Sequence, residues 1–526
     1  MLTVAACLAL LACLPQSAPA LTRDTRLSST DLTGDLAVLR AALTGLHPGL
    51  HRSLTPAQVA KRFDQLAATW SGDRTLGEAY LDLSQALADL RCGHTWASFF
   101  NQRKAVAAAL FAGRNCVPFA FTWVDGAMVV TRSATDHPAL VPGAVVRSIQ
   151  GIPTARIRAT LWQVARADGA NDAKRLEQLA VRGSETRELF DVFLPLCFAL
   201  PEPVTFTLEC TTPDEHQHTV VVPAVTAAER MARLATTSAS RPGDVRFPID
   251  GWWARRVAPG VVLLRMDTWV AYKTKADWRG ALDAFMDGLV RDRVTDLIVD
   301  LRANEGGSDC GQVLLARCID RPVALPGHAR YVRYQRVPTA LDPVLDTWDD
   351  TFRDWGKAAT AAPAPTLLGG TGACFRLRRD ADDDPAAELR PGPGPRFAGA
   401  LWVLISATNS SATFEFAAAV RACGLGTLVG QPTGGSQRGI NGGCFFFLRL
   451  PRTGLEVDLP LIATVPCGAD GSERGDVPDA GIPPDLLVTT TRADVAQGAD
   501  PELRAVLAAI AQRGAAGSAP ATGDRK

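Results

Sequence analysis

The chain has 526 residues, with 55 Lys and Arg balanced by 55 Asp and Glu, so its formal charge is zero. At about 150 residues per domain this length implies about three domains. Apolar residues make up 47% and charged residues 21%, which excludes a wholly disordered or fibrous chain. The absence of a global basic footprint argues against binding to a nucleic-acid backbone.

Residues 1–20 contain an apolar run, Leu2 to Leu14, followed by Pro15 and Ala18-Pro19-Ala20. This is the pattern of a secretory signal with cleavage before Leu21, although no Lys or Arg precedes the run. An exported, periplasmic or extracellular protein is therefore expected. Leu10-Leu11-Ala12-Cys13 also forms an imperfect lipobox, and membrane attachment is expected only if Cys13 is lipidated. Ten cysteines follow the signal and none form a C-x-x-C pair, so a zinc ribbon or a thioredoxin motif has no support.

Residues 21–110 read as a helical module. Helical spacing of apolar residues covers Asp31–Leu46, Thr55–Trp70 and Leu76–Leu90, and Gly93 is expected to end the third helix. His94 then falls on a turn. Residues 111–225 change to short β-rich runs (117–123, 127–133, 144–149, 204–209, 218–222), a pattern like that of a peptide-binding PDZ-like domain. In residues 226–513 strands and helices alternate: 261–266, 278–291, 296–301, 310–319, 401–406, 411–423 and 427–430. That order predicts a multidomain α/β protein with a buried, partly parallel sheet. Residues 337–397 are rich in Pro, Gly and Asp and read as an irregular insertion, and 514–526 as a disordered tail. His216 and His218 lack a third ligand and read as surface strand residues.

Three motifs could carry chemistry. Asp300-Leu-Arg-Ala-Asn-Glu-Gly306-Gly307 lies between a buried strand and a helix, where free backbone N–H groups could cradle a phosphate or an oxyanion. It lacks the lysine of a P-loop and the spacing of a dinucleotide site. Ser411-Ala412 opens a helix, a position that suits either a cap or a nucleophile supported by the helix dipole. Arg91-Cys-Gly-His94-Thr95 puts a histidine on a turn, available as a general base.

Together with Leu428-Val-Gly-Gln-Pro-Thr-Gly-Gly435 and Gly481-Ile-Pro-Pro-Asp485, these motifs resemble the tail-specific serine peptidases of family S41. The resemblance covers roughly residues 30–510. It implies a crotonase- or ClpP-like α/β catalytic domain, a polypeptide substrate, and no metal or organic cofactor. The Ser–Lys branch of that family carries its lysine after the Gly-x-Pro-Thr-x-Gly turn. Ser436 stands there instead, and no lysine occurs between Lys357 and Lys526.

The resemblance therefore points to the tricorn-core arrangement, with Ser411 as nucleophile, His94 as base, and Ala412 with Gly306 or Gly307 forming the oxyanion hole. The triad acid is expected at Asp479 or, second, Glu473, because Pro478 occupies the position where relatives commonly carry a Glu. A catalytically weak or inactive binding protein for a peptide or small apolar ligand is the alternative on the same fold. Acyl-CoA chemistry of the crotonase type is a third reading, disfavoured by the export signal.

Overall fold

A computed structural model describes residues 21–238, 241, 243–378 and 387–517. The stretch 1–20 expected to be a signal, Cys13 within it, and the Asp382–Asp384 run lie outside these residues. The helical module forms close to expectation, as helices Ser29–Leu46, Pro56–Thr69 and Leu76–Ala88. Each starts on a hydroxyl cap, with Ser28, Thr55 and Thr75 accepting backbone N–H groups, the last two in full capping boxes. Gly93 does not end the third helix. Arg91 makes the left-handed turn (φ 55°), and a Cβ on Gly93 would lie 2.8 Å from Asp168 Oδ2. The glycine is there for close approach.

The β-rich domain is an antiparallel sheet in the order 119–124, 127–133, 145–149, 205–211, 217–223. Helix Ala227–Ser238 belongs against this sheet, not with the α/β layer that was expected to begin at 226. Buried Arg230 pairs with Asp191 at 2.6 Å, and Leu234 packs with Ala120 and Ala134. Between the sheet's third and fourth strands a polar segment carries the short helix Asp172–Gln178.

The α/β layer is a seven-stranded sheet in the order 486–487, 427–430, 400–405, 296–300, 261–266, 252–258, 245–246. The first five strands are parallel. Helices Trp278–Arg291, Cys310–Ala316 and Ser411–Ala422 cover one face. Helix Pro501–Gly517 contributes Val506 to the other, so residues 514–517, expected to be disordered, are helical. Asp296–Asp300 and Ala400–Ile405 are parallel neighbours. Their carboxyl ends therefore deliver residues 301–307 and 406–411 side by side, where α/β sheets place their sites.

The 337–397 segment is less irregular than its composition suggests. Its strands Ala359–Ala361 and Phe375–Leu377 extend a second sheet built on a long hairpin, Asn441–Arg449 and Glu456–Pro466. Phe446, Leu448, Leu455 and Val457 from this hairpin share a core with Leu36 and Leu39 of the helical module. Asp35 accepts the backbone N–H groups of Arg452 and Thr453. The hairpin thus packs directly on the N-terminal helices. All ten described cysteines are free thiols.

Candidate active site

The turn after Asp300 is built by buried amides. Asn304 donates to Met266 O at 2.8 Å and accepts Gly306 N–H at 2.9 Å. Asn409 donates to Leu301 O and Asn304 O at 2.6 and 2.9 Å, joining this turn to the one before Ser411. Gly306 and Gly307 both have positive φ, 120° and 136°. A Cβ on Gly306 would lie 3.0 Å from Ser411 Cβ and 3.1 Å from Ala412 N, and one on Gly307 would lie 2.3 Å from Trp269 O. Only glycine fits at either position.

Asn304 occupies Gly306 N–H, whereas no described acceptor takes Gly307 N–H or Ala412 N–H. Of the two expected glycine donors, Gly307 is the one left free. Ser411 itself has φ 51°, a left-handed conformation that costs a non-glycine residue about 1–3 kcal/mol and accumulates at functional sites. It opens a 12-residue helix, and it keeps part of its surface while Ser410 is buried.

His94 lies against the start of the hairpin. A Cβ on Gly442 would be 3.7 Å from His94 Nε2, and the imidazole centroid is 6.0 Å from that of Phe445. Phe445 continues through Trp348, which is 59% exposed, to Phe447, forming an aromatic shelf. His94 Nδ1 is buried without a hydrogen-bond partner, and no hydrogen bond joins Nε2 to Ser411 Oγ among the described residues. Burial lowers the imidazole pKa below its ordinary value. The nearby carboxylates Asp168 and Glu305 oppose that shift, and Arg166 and Lys174 add to it. Glu305, one residue before Gly306, thus acts on His94 from the side of the glycine turn, after Asp168.

The expected acids are placed differently. Asp479 Oδ1 accepts the Ser436 hydroxyl at 2.9 Å and packs against Gly169. Glu473 is spent on the backbone N–H groups of Thr366 and Leu367, at 2.8 and 2.6 Å. Neither bonds His94. The carboxylate with the largest effect on His94 is Asp168, which is buried and accepts Gly93 N–H at 2.8 Å. It lies 74 residues from His94 in the chain, and no motif marks it. Asp485 accepts Leu428 N–H and locks a strand turn. His47 is structural: its Nε2 bonds Thr95 Oγ1 at 2.8 Å, and burial pushes its pKa down to about 3. His216 pairs with exposed Asp214.

A lysine does reach the serine turn, though not from the expected direction. Lys174 is buried, and its Nζ lies 2.6 Å from Glu305 Oε1, 2.9 Å from Thr408 O and 3.5 Å from Ser410 Oγ. Burial lowers the Lys174 pKa and the pairing with Glu305 opposes that shift, while the Ser410 hydroxyl donates to Glu305 O at 3.3 Å. This is not the geometry of a serine–lysine dyad. Beside Ala412 a cavity of about 110 Å³ opens, lined by Trp269, Leu315, Leu325, His328, Leu389 and Phe416.

Residues 260–442 match the model of Peptidase family S41. No curated protein matches the sequence. Among solved structures, mature CPAF superposes with a TM-score of 0.60 at 16% identity, covering 92% of this chain and 97% of its own. CPAF complexed with lactacystin gives the same values. A photosystem II D1 C-terminal processing protease reaches a TM-score of 0.38 at 14% identity, covering 88% and 94%. The fold is like that of mature CPAF. The matched stretch is about a third of the chain and holds both the glycine turn and Ser411.

Proposed function

We propose that the protein is an exported serine endopeptidase that cleaves polypeptides through an acyl-enzyme on Ser411. The single observation that carries this reading is the left-handed Ser411 at a helix N-terminus, packed on Gly306 with the Ala412 and Gly307 N–H groups unclaimed. Ser411 Oγ attacks the scissile carbonyl, and the oxygen that becomes negative is held by Ala412 N–H and Gly307 N–H. His94 Nε2 takes the serine proton and returns it to the leaving amine. Burial favours the neutral imidazole that this role needs. Asp168 is the carboxylate that favours the imidazolium formed during reaction, and it replaces Asp479 and Glu473 as the proposed acid.

The cavity beside Ala412 takes a substrate side chain, and the PDZ-like sheet of the β-rich domain binds an extended peptide. Ser411→Ala tests the reading. Labelling by a fluorophosphonate probe is expected to vanish in this variant, and labelling that persists would overturn the nucleophile assignment.

The unpartnered His94 Nδ1 favours a second reading, a weakly active or inactive peptide-binding protein on the same fold. Failure of the unsubstituted protein to label or to digest casein, with retention of a peptide ligand, would support it.

A further inference from the structure

The polar segment 166–182 of the β-rich domain touches both halves of the site. On the histidine side, Arg166 Nε donates to Gly93 O at 2.7 Å, Asp168 accepts Gly93 N–H, and Gly169 N–H donates to Arg91 O at 3.0 Å. On the serine side, Asn171 donates to Thr433 O and Gly435 O, both at 2.8 Å. Arg182 donates to Ala303 O at 3.3 Å and to Thr408 Oγ1. Lys174 sits between them with only 5% of its side chain exposed. All three of its acceptors lie in the two loops that flank Gly306, Gly307 and Ser411.

Burying an ammonium is costly, and an apolar side chain of similar length fills the same space more cheaply. What an apolar chain cannot do is hold two loops by their oxygens while neutralising the carboxylate between them. Resting on the serine-peptidase reading above, we infer that Lys174 is a positioning residue. Delivered from the β-rich domain, its ammonium fixes Glu305, and with it the Gly306–Gly307 turn, against Ser411, and keeps that carboxylate paired beside His94.

The charged groups acting on His94 come from three elements: Arg166 and Asp168 from the segment, Lys174 from its helix, and Glu305 from the glycine turn. Gly442 and Phe445 on the hairpin side carry no charge. Farther along, facing Arg166, Asp458 is pushed up to about 7 by burial. Lys174 disfavours the imidazolium and Glu305 favours it. Burial pushes the Glu305 carboxyl up, but Lys174 and Arg166 more than offset this and hold it at about 2. Removing the lysine and removing the carboxylate should therefore move the His94 titration in opposite directions, whereas Asp458 titrates the same way in both variants.

The test follows fluorophosphonate labelling of the full chain against pH and probe concentration, for Lys174→Met, Glu305→Gln and the double variant. Lys174→Met is expected to lower the saturating rate about 10²-fold, as for a misplaced catalytic group. Probe affinity should change less than about threefold, and the acidic limb of the profile should move to higher pH. Glu305→Gln should move that limb to lower pH, and the double variant should return it toward the starting position with part of the rate.

A limb that stays in place in both single variants, or a double variant no better than Lys174→Met, overturns the inference. If Lys174→Met does not fold, as judged by its thermal melt, the Glu305→Gln shift decides alone: a downward move supports the inference and no move overturns it. If Ser411→Ala is silent while the Lys174 and Glu305 variants behave like the parent, this inference fails and the peptidase reading stands. Persistent labelling of Ser411→Ala removes the reading itself.

Discussion

The serine turn and the histidine turn are built in opposite ways. Around Ser411 the Asn304 amide accepts Gly306 N–H and the Asn409 amide donates to the Asn304 carbonyl, all within a single α/β layer, and two glycines permit the close approach. Around His94 little is local. The turn is held by Arg166 and Asp168 from the β-rich domain and lies against Gly442 of a hairpin more than 300 residues away. One half is prefabricated and the other is assembled from three regions. Loosening the contact with the β-rich domain should therefore free the histidine turn, while the serine turn loses the clamps of Asn171, Lys174 and Arg182 but keeps its own amides.

The largest expected effect is on the chemistry common to both halves. His94→Gln should reduce casein hydrolysis by roughly 10³–10⁴-fold while helical circular dichroism is unchanged; a loss below tenfold would remove His94 as base. Breaking the prefabricated half comes next. Gly307→Ala forces a Cβ to within 2.3 Å of Trp269 O at a positive φ. It should slow labelling on the order of 10²-fold and lower the melting temperature, since such a backbone costs roughly 1–3 kcal/mol.

The assembled half is sharpened by Asp168→Asn. The native acidic limb should lie below 6.5, because burial keeps the imidazole neutral, and the rate should fall as pH drops through that lowered value. Asp168 opposes this lowering, so its neutral replacement should carry the limb to still lower pH while reducing the maximal rate about tenfold. The smallest effects belong to the acids first expected from the motif. Asp479→Asn and Glu473→Gln should each change the rate less than about threefold, and a loss of 10²-fold in either would return that residue to the site.

Much of the fold could be read from periodicity. The three N-terminal helices announce themselves through apolar spacing and hydroxyl caps, and the apolar run 296–301 reads as a buried strand because both of its faces are covered. The Ser411 and glycine turns were legible as a candidate site because suitable chemistry and backbone geometry coincide in short motifs there. The hairpin 441–466 escaped notice because Gly442, Gly443 and Pro460 interrupt its alternation. Asp168 and Lys174 were not legible for another reason. Each acts across long sequence gaps, 131 residues between Lys174 and Glu305, and nothing local distinguishes them from surface charges. Asp479 and Glu473 were drawn from the late-chain motif, where Asp485 and Thr433 lock turns, Thr433 accepting Ile482 N–H at 2.8 Å.

Arg302, two residues after the strand that feeds the glycine turn, grips Asp300 on one side and both Asp500 and Glu502 on the other. Those two carboxylates mark the start of the final described helix, which also sends Arg513 to Asp296. On the ribosome this brace can form only once Asp500, 198 residues after Arg302, has emerged. A chain synthesised short of that point would carry Ser411 without a rigid floor beneath it, so the turn would stiffen long after its own residues had left the tunnel.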